Sequence, residues 1–208
     1  MRKALSVTDI CRKNYETFPF EGAWLEAFGC PERTGTWIVW GQSGSGKSTF
    51  AVQLCRELSR FGKVLYDSLE EGTSLTFRNK IAQLQDVEHG RFQVVSEPME
   101  ALKERLAKRR SADFVLIDSF QYTGLDYRSY LALKQTLASK LIIFISHADG
   151  KMPSGRAAKS VMYDASLKIW VEGYRAYSKG RFIGKNGGVY TIWKEGAQII
   201  GNSFNIHQ

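Results

Sequence analysis

A chain of 208 residues, 43% apolar and 24% charged, is long enough to bury a core of its own and fits one ordinary globular domain. Its formal charge of +8 and pI near 9.4 favour a polyanionic partner and say nothing of fold. Cys11, Cys30 and Cys55 are odd in number and form no C-x-x-C pair, which excludes a zinc ribbon or a disulfide framework and reads as reduced thiols of a cytoplasmic protein.

The opening MRKALSVTDICRKN lacks the apolar run of a signal peptide. The longest purely apolar run, LIIFI at 141–145, is far below the ~20 residues that span a bilayer, so no membrane partner is expected. Phe18, Phe20, Trp24, Leu25 and Phe28 in the first 35 residues are expected to fold against the main core.

The first β-rich run, TWIVW at 36–40, leads into GQSGSGKST at 41–49, and a helix is predicted through STFAVQLCRELSR. The loop fits G-x-x-x-x-G-K-[ST], and its place between a strand and a helix is the context a phosphate-binding loop requires. Glycines at Gly41, Gly44 and Gly46 let backbone amides curl around phosphate oxygens without a Cβ in the way. Gln42, Ser43, Ser45 and Thr49 complete the cradle, and the following helix turns its positive end toward the anion. In this reading Lys47 reaches the β and γ phosphates of ATP and Ser48 ligates Mg²⁺.

KVLYD at 63–67 is the second predicted strand, followed by a helix around SLTFRNKIAQLQ. Glu70 and Glu71 stand just past that strand, at the edge where an open α/β sheet binds its ligand, and a carboxylate there can act as general base. RFQVV at 91–95, a helix around PMEALKERLAKRR and FVLID at 114–118 continue the alternation. Asp118 ends its strand after four apolar residues and is the candidate acid of the magnesium shell. The cations of KERLAKRR close a helix that has Glu97 and Glu100 at its start, so the helix dipole accounts for them.

A helix through YRSYLALKQTLAS leads to LIIFIS at 141–146, after which no further helix is predicted. From Ala165 onward ASLKIWV, YRAYSKGRF and GVYTIW, divided by EG and GKNGG, read as antiparallel strands. The expected fold is α/β, a doubly wound sheet with a mostly parallel core and antiparallel C-terminal strands, in a single domain over residues 1–208.

These residues together resemble the RecA superfamily of P-loop ATPases, and within it the RecA-like cores of RadA and of DnaB-type helicases, over roughly residues 16–195. FEGAWLEAFG followed by PERTG looks like the segment that precedes the phosphate-loop strand in RadA-like chains. The resemblance implies that Glu70, in the S-x-E context of Ser68 and Leu69, is the catalytic base in preference to Glu71. It implies that Asp118 and Ser119 are the Asp-Ser end of the Walker B strand, and that His147 in FISHADG senses the γ-phosphate. KGRF matches the family's K-x-R-F, so Lys179 and Arg181 would enter the neighbouring subunit's ATP site beside Phe182; Lys185, in a turn, is a weaker finger. Arg78 stands near the position of the arginine that packs on adenine, one residue short of the usual spacing from Glu70. The zinc motif and protease-like domain of RadA and the N-terminal domain of DnaB have no counterpart in these 208 residues.

By this resemblance the chain is a Mg²⁺-dependent ATPase, a homo-oligomer in a ring or filament, that binds single-stranded DNA in recombination, repair or replication beside replication or recombination proteins. The family holds DNA on loops after the Walker B and sensor strands. Here SFQYTGLDYRSY offers Tyr122, Tyr127 and Tyr130 to bases, and HADGKMPSGRAAKS offers Lys151, Arg156 and Lys159 to phosphates. Cations outnumber acids over residues 150–208, while Tyr127 and Tyr130, three apart, could equally share a helix face. The alternatives are a KaiC-like regulatory ATPase acting on a protein without DNA, and a small-molecule kinase sharing the same phosphate loop.

Overall fold

The computed structural model describes residues 4–82 and 90–205, with side chains up to residue 199. Its strands in chain order are β1 (Gly35–Gly41), β2 (Val64–Ser68), β3 (Phe92–Val95), β4 (Phe114–Asp118), β5 (Leu141–Asp149), β6 (Met152–Pro153), β7 (Leu167–Glu172), β8 (Arg175–Ser178) and β9 (Val189–Thr191). Its helices are α1 (Val7–Cys11), α2 (Gly22–Phe28), α3 (Lys47–Ser59), α4 (Leu75–Ala82), α5 (Met99–Ala107), α6 (Tyr127–Thr136), α7 (Arg156–Asp164) and α8 (Lys194–Asn205).

Across the sheet the order is β3-β2-β4-β5-β1-β7-β8-β9, with β6 paired to β5. The strands from β3 to β7 in that order are mutually parallel; β8 and β9 return antiparallel. The period-2 alternation of side chains sends each strand's residues to two separate cores. Trp37, Val39, Tyr66, Leu116, Ile143, Ile145, Ile169 and Val171 pack under α2 and α3 together with Phe18, Phe20 and Phe28. Ile38, Trp40, Leu65, Val115, Ile117, Phe144 and Trp170 pack under α5, α6 and α7.

The expected parallel core, the antiparallel C-terminal strands and the docking of the N-terminal aromatics are all observed. Phe18 and Phe20 stack at 5.1 Å, and Trp24 stacks on Tyr190 at 4.3 Å, tying the N-terminal segment to β9. Leu25 departs from expectation and stays 38% exposed. The predicted helix over residues 74–85 is observed as Leu75–Ala82, its last three residues lying outside the described ones.

Two expectations are corrected. Helices do not stop after β5: α7 and α8 follow it. The Pro153–Gly155 break conceals the start of α7, whose Ala158, Val161 and Met162 nonetheless sit at helix-face spacing and are buried. In α8, Gly196 lowers intrinsic helix propensity and hides the amphipathic pattern. The proposed DNA loop over 148–160 is therefore ordered, as the β5–β6 turn followed by the first turns of α7.

The second correction is Tyr130. It is fully buried, with its hydroxyl bonded to Thr36 and Asp164, so it belongs to the core and has no face for a base. Its ring stacks on Tyr127 at 5.8 Å, the outcome that i, i+3 spacing on a helix allows. No helix among the described residues is long and apolar enough to cross a membrane.

Candidate functional site

Parallel strands end on one side of a sheet, and here the register brings the chemistry into one row. Gly41 pairs with His147, Ser68 with Asp118, and Asp118 with Ile145. The chain leaves β1 at Gly41 without room for any side chain, because a Cβ there would lie 2.2 Å from the Val171 carbonyl oxygen. Gly44 and Gly46 then take φ of +75° and +103°, the left-handed region that glycine enters freely. Gly46 caps α3 with no side-chain hydrogen bond, so the first-turn amides of that 13-residue helix remain available to an anion.

These amides border a cavity of about 480 Å³ lined by Gln42, Ser43, Gly44, Gly46, Lys47, Ser48, Thr49, Glu70, Glu71, Lys80, Asp118, His147, Ala148 and Tyr174. Lys47 Nζ donates to the Gln42 carbonyl at 2.8 Å, curled over its own loop. Burial lowers its pKa, and the negative charges of Asp118 and Glu70 act against that fall.

Asp118 is 7% exposed, and its Oδ2 accepts from the hydroxyl of the fully buried Tyr66. Burial raises the Asp118 pKa; the Tyr66 bond opposes the rise, while Glu70 and Glu71 add to it. The Asp118 carbonyl accepts from the amides of Leu69 and Glu70 at 2.7 and 3.1 Å, so one strand end anchors the loop that carries the other acids. The Asp118–Ser119 peptide is cis.

The two glutamates have separate partners. Glu71 binds Lys80 at 2.9 and 3.2 Å, whereas Glu70 Oε2 is 2.9 Å from His147 Nε2. Where Glu70 is a carboxylate it can only accept, and Nε2 is then the donor of that contact. The same nitrogen lies 3.4 Å from Ser119 Oγ. Gln121 fixes the His147 end of β5: its Nε2 donates to Ser146 Oγ and the Ser154 carbonyl, and its Oε1 accepts from the His147 amide.

Of the sequence-derived site residues, the cavity brings together Gln42, Ser43, Gly44, Gly46, Lys47, Ser48, Thr49, Glu70, Asp118 and His147. Gly41 and Ser45 support the loop from behind. Arg78 is exposed on α4 and lines no part of the cavity. Lys179 and Arg181 follow β8, which runs antiparallel to β7, and the Lys179 amide bonds the Lys168 carbonyl. They therefore sit toward the end of the sheet opposite the phosphate loop of their own chain.

Tyr66, Lys80 and Tyr174 were missed. Tyr174 holds φ of +56° in the β7–β8 turn, its amide donates to the Ser45 carbonyl at 3.1 Å, and its ring packs edge-on against Trp193. No local pattern marks these residues; only the approach of distant elements does.

A glycine loop opening onto an uncapped helix start, with a buried acid at the end of a nearby parallel strand, defines a P-loop nucleotide-binding domain on a RecA-like α/β sheet. Residues 32–146 match the family model described as an AAA domain, and the chain belongs to that family. Two solved structures share the fold. One is the flagellar accessory protein FlaH from Methanocaldococcus jannaschii, at TM-score 0.60 and 17% identity, covering 85% of this chain and 92% of that one. The other is a KaiC-like protein from the hyperthermophilic archaeon Pyrococcus horikoshii OT3, at TM-score 0.59 and 18% identity, covering 80% and 94%. No curated protein sequence matches the chain.

Proposed function

We propose that the chain is a Mg²⁺-dependent ATPase that works as a homo-oligomer on single-stranded DNA, in recombination, repair or replication, close in kind to the cores of RadA and DnaB-type helicases. The observation that carries the reading is the meeting, in one cavity, of the uncapped start of α3 with Lys47, Asp118 and Glu70, drawn from three separate strand ends.

The residues suit the groups they would hold. The amides of 43–48 and Lys47 offer donors and charge to a triphosphate. Ser48 and Asp118 would hold Mg²⁺, which supplies charge neutralisation at the β and γ oxygens. Two protein oxygens suffice, because magnesium in such sites completes its shell with phosphate and water; no cluster of three His, Cys, Asp or Glu ligands occurs among the described residues.

In this scheme Lys47 orients the phosphate chain and Glu70 takes a proton from the attacking water. The water oxygen bonds the γ phosphorus as the bond to the β–γ bridging oxygen breaks, leaving ADP and phosphate. His147 holds Glu70 Oε2 and leaves Oε1 to receive the proton. Arg181 and Lys179 of a neighbouring copy would enter from outside and offset charge on the transferred group, an arrangement supported by their distance from the loop of their own chain.

The test is the rate of ATP hydrolysis with and without an oligonucleotide across a salt series. Stimulation that fades steeply with salt supports the DNA reading. The fold shared with the KaiC-like neighbour supports a second reading, a regulatory ATPase acting on a protein; a rate indifferent to DNA at low salt favours it.

A further inference from the structure

On the side of the sheet away from α3, Trp40 and Trp170 are nearly buried in the core with α7, and the ladder of β7 and β8 reaches the surface at Lys168, Tyr177 and Lys179. Register places Lys168 opposite Lys179, Trp170 opposite Tyr177 and Glu172 opposite Arg175, and this ladder borders a groove of about 530 Å³. Trp40 and Trp170, meeting edge to face at 5.9 Å, form its floor with Met152 and Met162; Tyr177 is half-buried at the side. Lys151, Lys168 and Lys179 stand at the rim. Like charges directly across a strand pair repel. Among the described residues none of these three lysines forms an ion pair: Lys168 Nζ reaches only the Tyr163 carbonyl at 3.3 Å, and Lys179 Nζ lies 5.8 Å from the Tyr177 ring centre.

We infer that this groove is a seat for single-stranded nucleic acid, with one base against Tyr177 and its flanking phosphates on Lys151 and Lys168. The inference rests on the DNA reading above and places the contact on the sheet face, where Tyr130 has no part. A half-buried aromatic ring beside a cationic rim is the chemistry that holds unpaired bases and their backbone. A duplex buries its base faces in its own stack and has none to offer such a ring. An acidic protein segment would use the lysines and make no stacking contact with Tyr177.

The groove also has a mechanical link to the nucleotide cavity. The end of β5 carries His147 and Ala148 in the cavity, and the turn to β6 and β6 itself carry Lys151 and Met152 in the groove. Gln42 of the phosphate loop donates to the Gly150 carbonyl at 3.2 Å, and Trp40 Nε1 donates to the Lys151 carbonyl at 3.1 Å. A strand seated in the groove therefore presses on the turn that follows β5, which carries the partner of Glu70.

Fluorescence anisotropy of a labelled oligothymidylate, read beside ATP hydrolysis and thermal melting, tests this. The double variant Lys151→Glu/Lys168→Glu should weaken oligonucleotide binding by about tenfold or more and abolish DNA stimulation, with basal hydrolysis and melting unchanged. Tyr177→Leu, which keeps the apolar volume, should weaken binding severalfold through loss of stacking. Undiminished binding in the charge-reversed variant overturns the groove while the DNA reading stands. If Tyr177→Leu binds as the parent does and polyglutamate displaces the oligonucleotide equally from both, the groove recognises charge alone and the inference fails. A parent protein that binds no oligonucleotide overturns both the groove and the DNA half of the proposed function, leaving Lys47-dependent hydrolysis intact.

Discussion

Tyr66 and Asp67 are neighbours on β2 that point to opposite faces, and each sets a prediction. Tyr66 donates to Asp118 and holds its pKa down against burial. Tyr66→Phe removes only that donor, so turnover should fall by roughly tenfold and stability by about 1 to 3 kcal/mol, as a buried charged acceptor loses its partner. The acid limb of the pH–rate curve should also move to higher pH; a fall in rate with an unmoved limb would assign Tyr66 to packing alone. Asp67 is fully buried, with Oδ2 unbonded and Oδ1 accepting from the Glu97 amide, and burial pushes its pKa to about 6. The folded state thus keeps a proton that the unfolded chain releases near pH 4, and stability should decline as pH rises through about 4 to 6 and level off above. Asp67→Asn should erase that decline and raise stability at pH 8 by roughly 2 to 3 kcal/mol, read from melts across pH; parallel curves for the two proteins would sink the assignment. Lys47, Ser48 and Glu70 were legible beforehand because a phosphate loop and a strand-end acid are continuous in sequence. Tyr66, Lys80 and Tyr174 were not, since each meets the site only through contacts between separate elements.

The elements most readily read from sequence were the buried parallel strands, whose apolar runs have no other use in a chain of this size. Hidden ones are those where local chemistry opposes the final structure: α7 behind its Pro-Ser-Gly start and α8 with its two internal glycines. The β8–β9 connection shows how two elements are joined by backbone alone. Gly184 and Asn186 donate to the carbonyls of Ala27 and Glu26 at the end of α2, and a Cβ on Gly184 would lie 1.8 Å from the Glu26 oxygen. Gly184→Ala should therefore force the connection off α2, at a cost of roughly 2 kcal/mol or about 4 to 8 °C in melting temperature. A melting point equal to the parent's would mean that the connection docks elsewhere.

For the molecule as a whole, the proposed scheme makes hydrolysis a property of contact between copies, because Lys179 and Arg181 stand away from the loop at 41–49. Glu70→Gln should keep ATP bound without turnover, and Arg181→Ala should lose turnover with binding largely kept. Mixing the two should recover part of the parent rate, because some seams then pair an intact base with an intact arginine. Stable mixed assemblies with no recovery would count against contact between copies. The rims of the sheet bear on how such copies join. β3 spans four residues at one margin and β9 three at the other, stubs too brief to template a lengthening ribbon. A ring or fibre of the proposed kind would accordingly be riveted by side chains and not woven through its main chain. Raised ionic strength should unfasten it into intact units well before any urea loosens a single one.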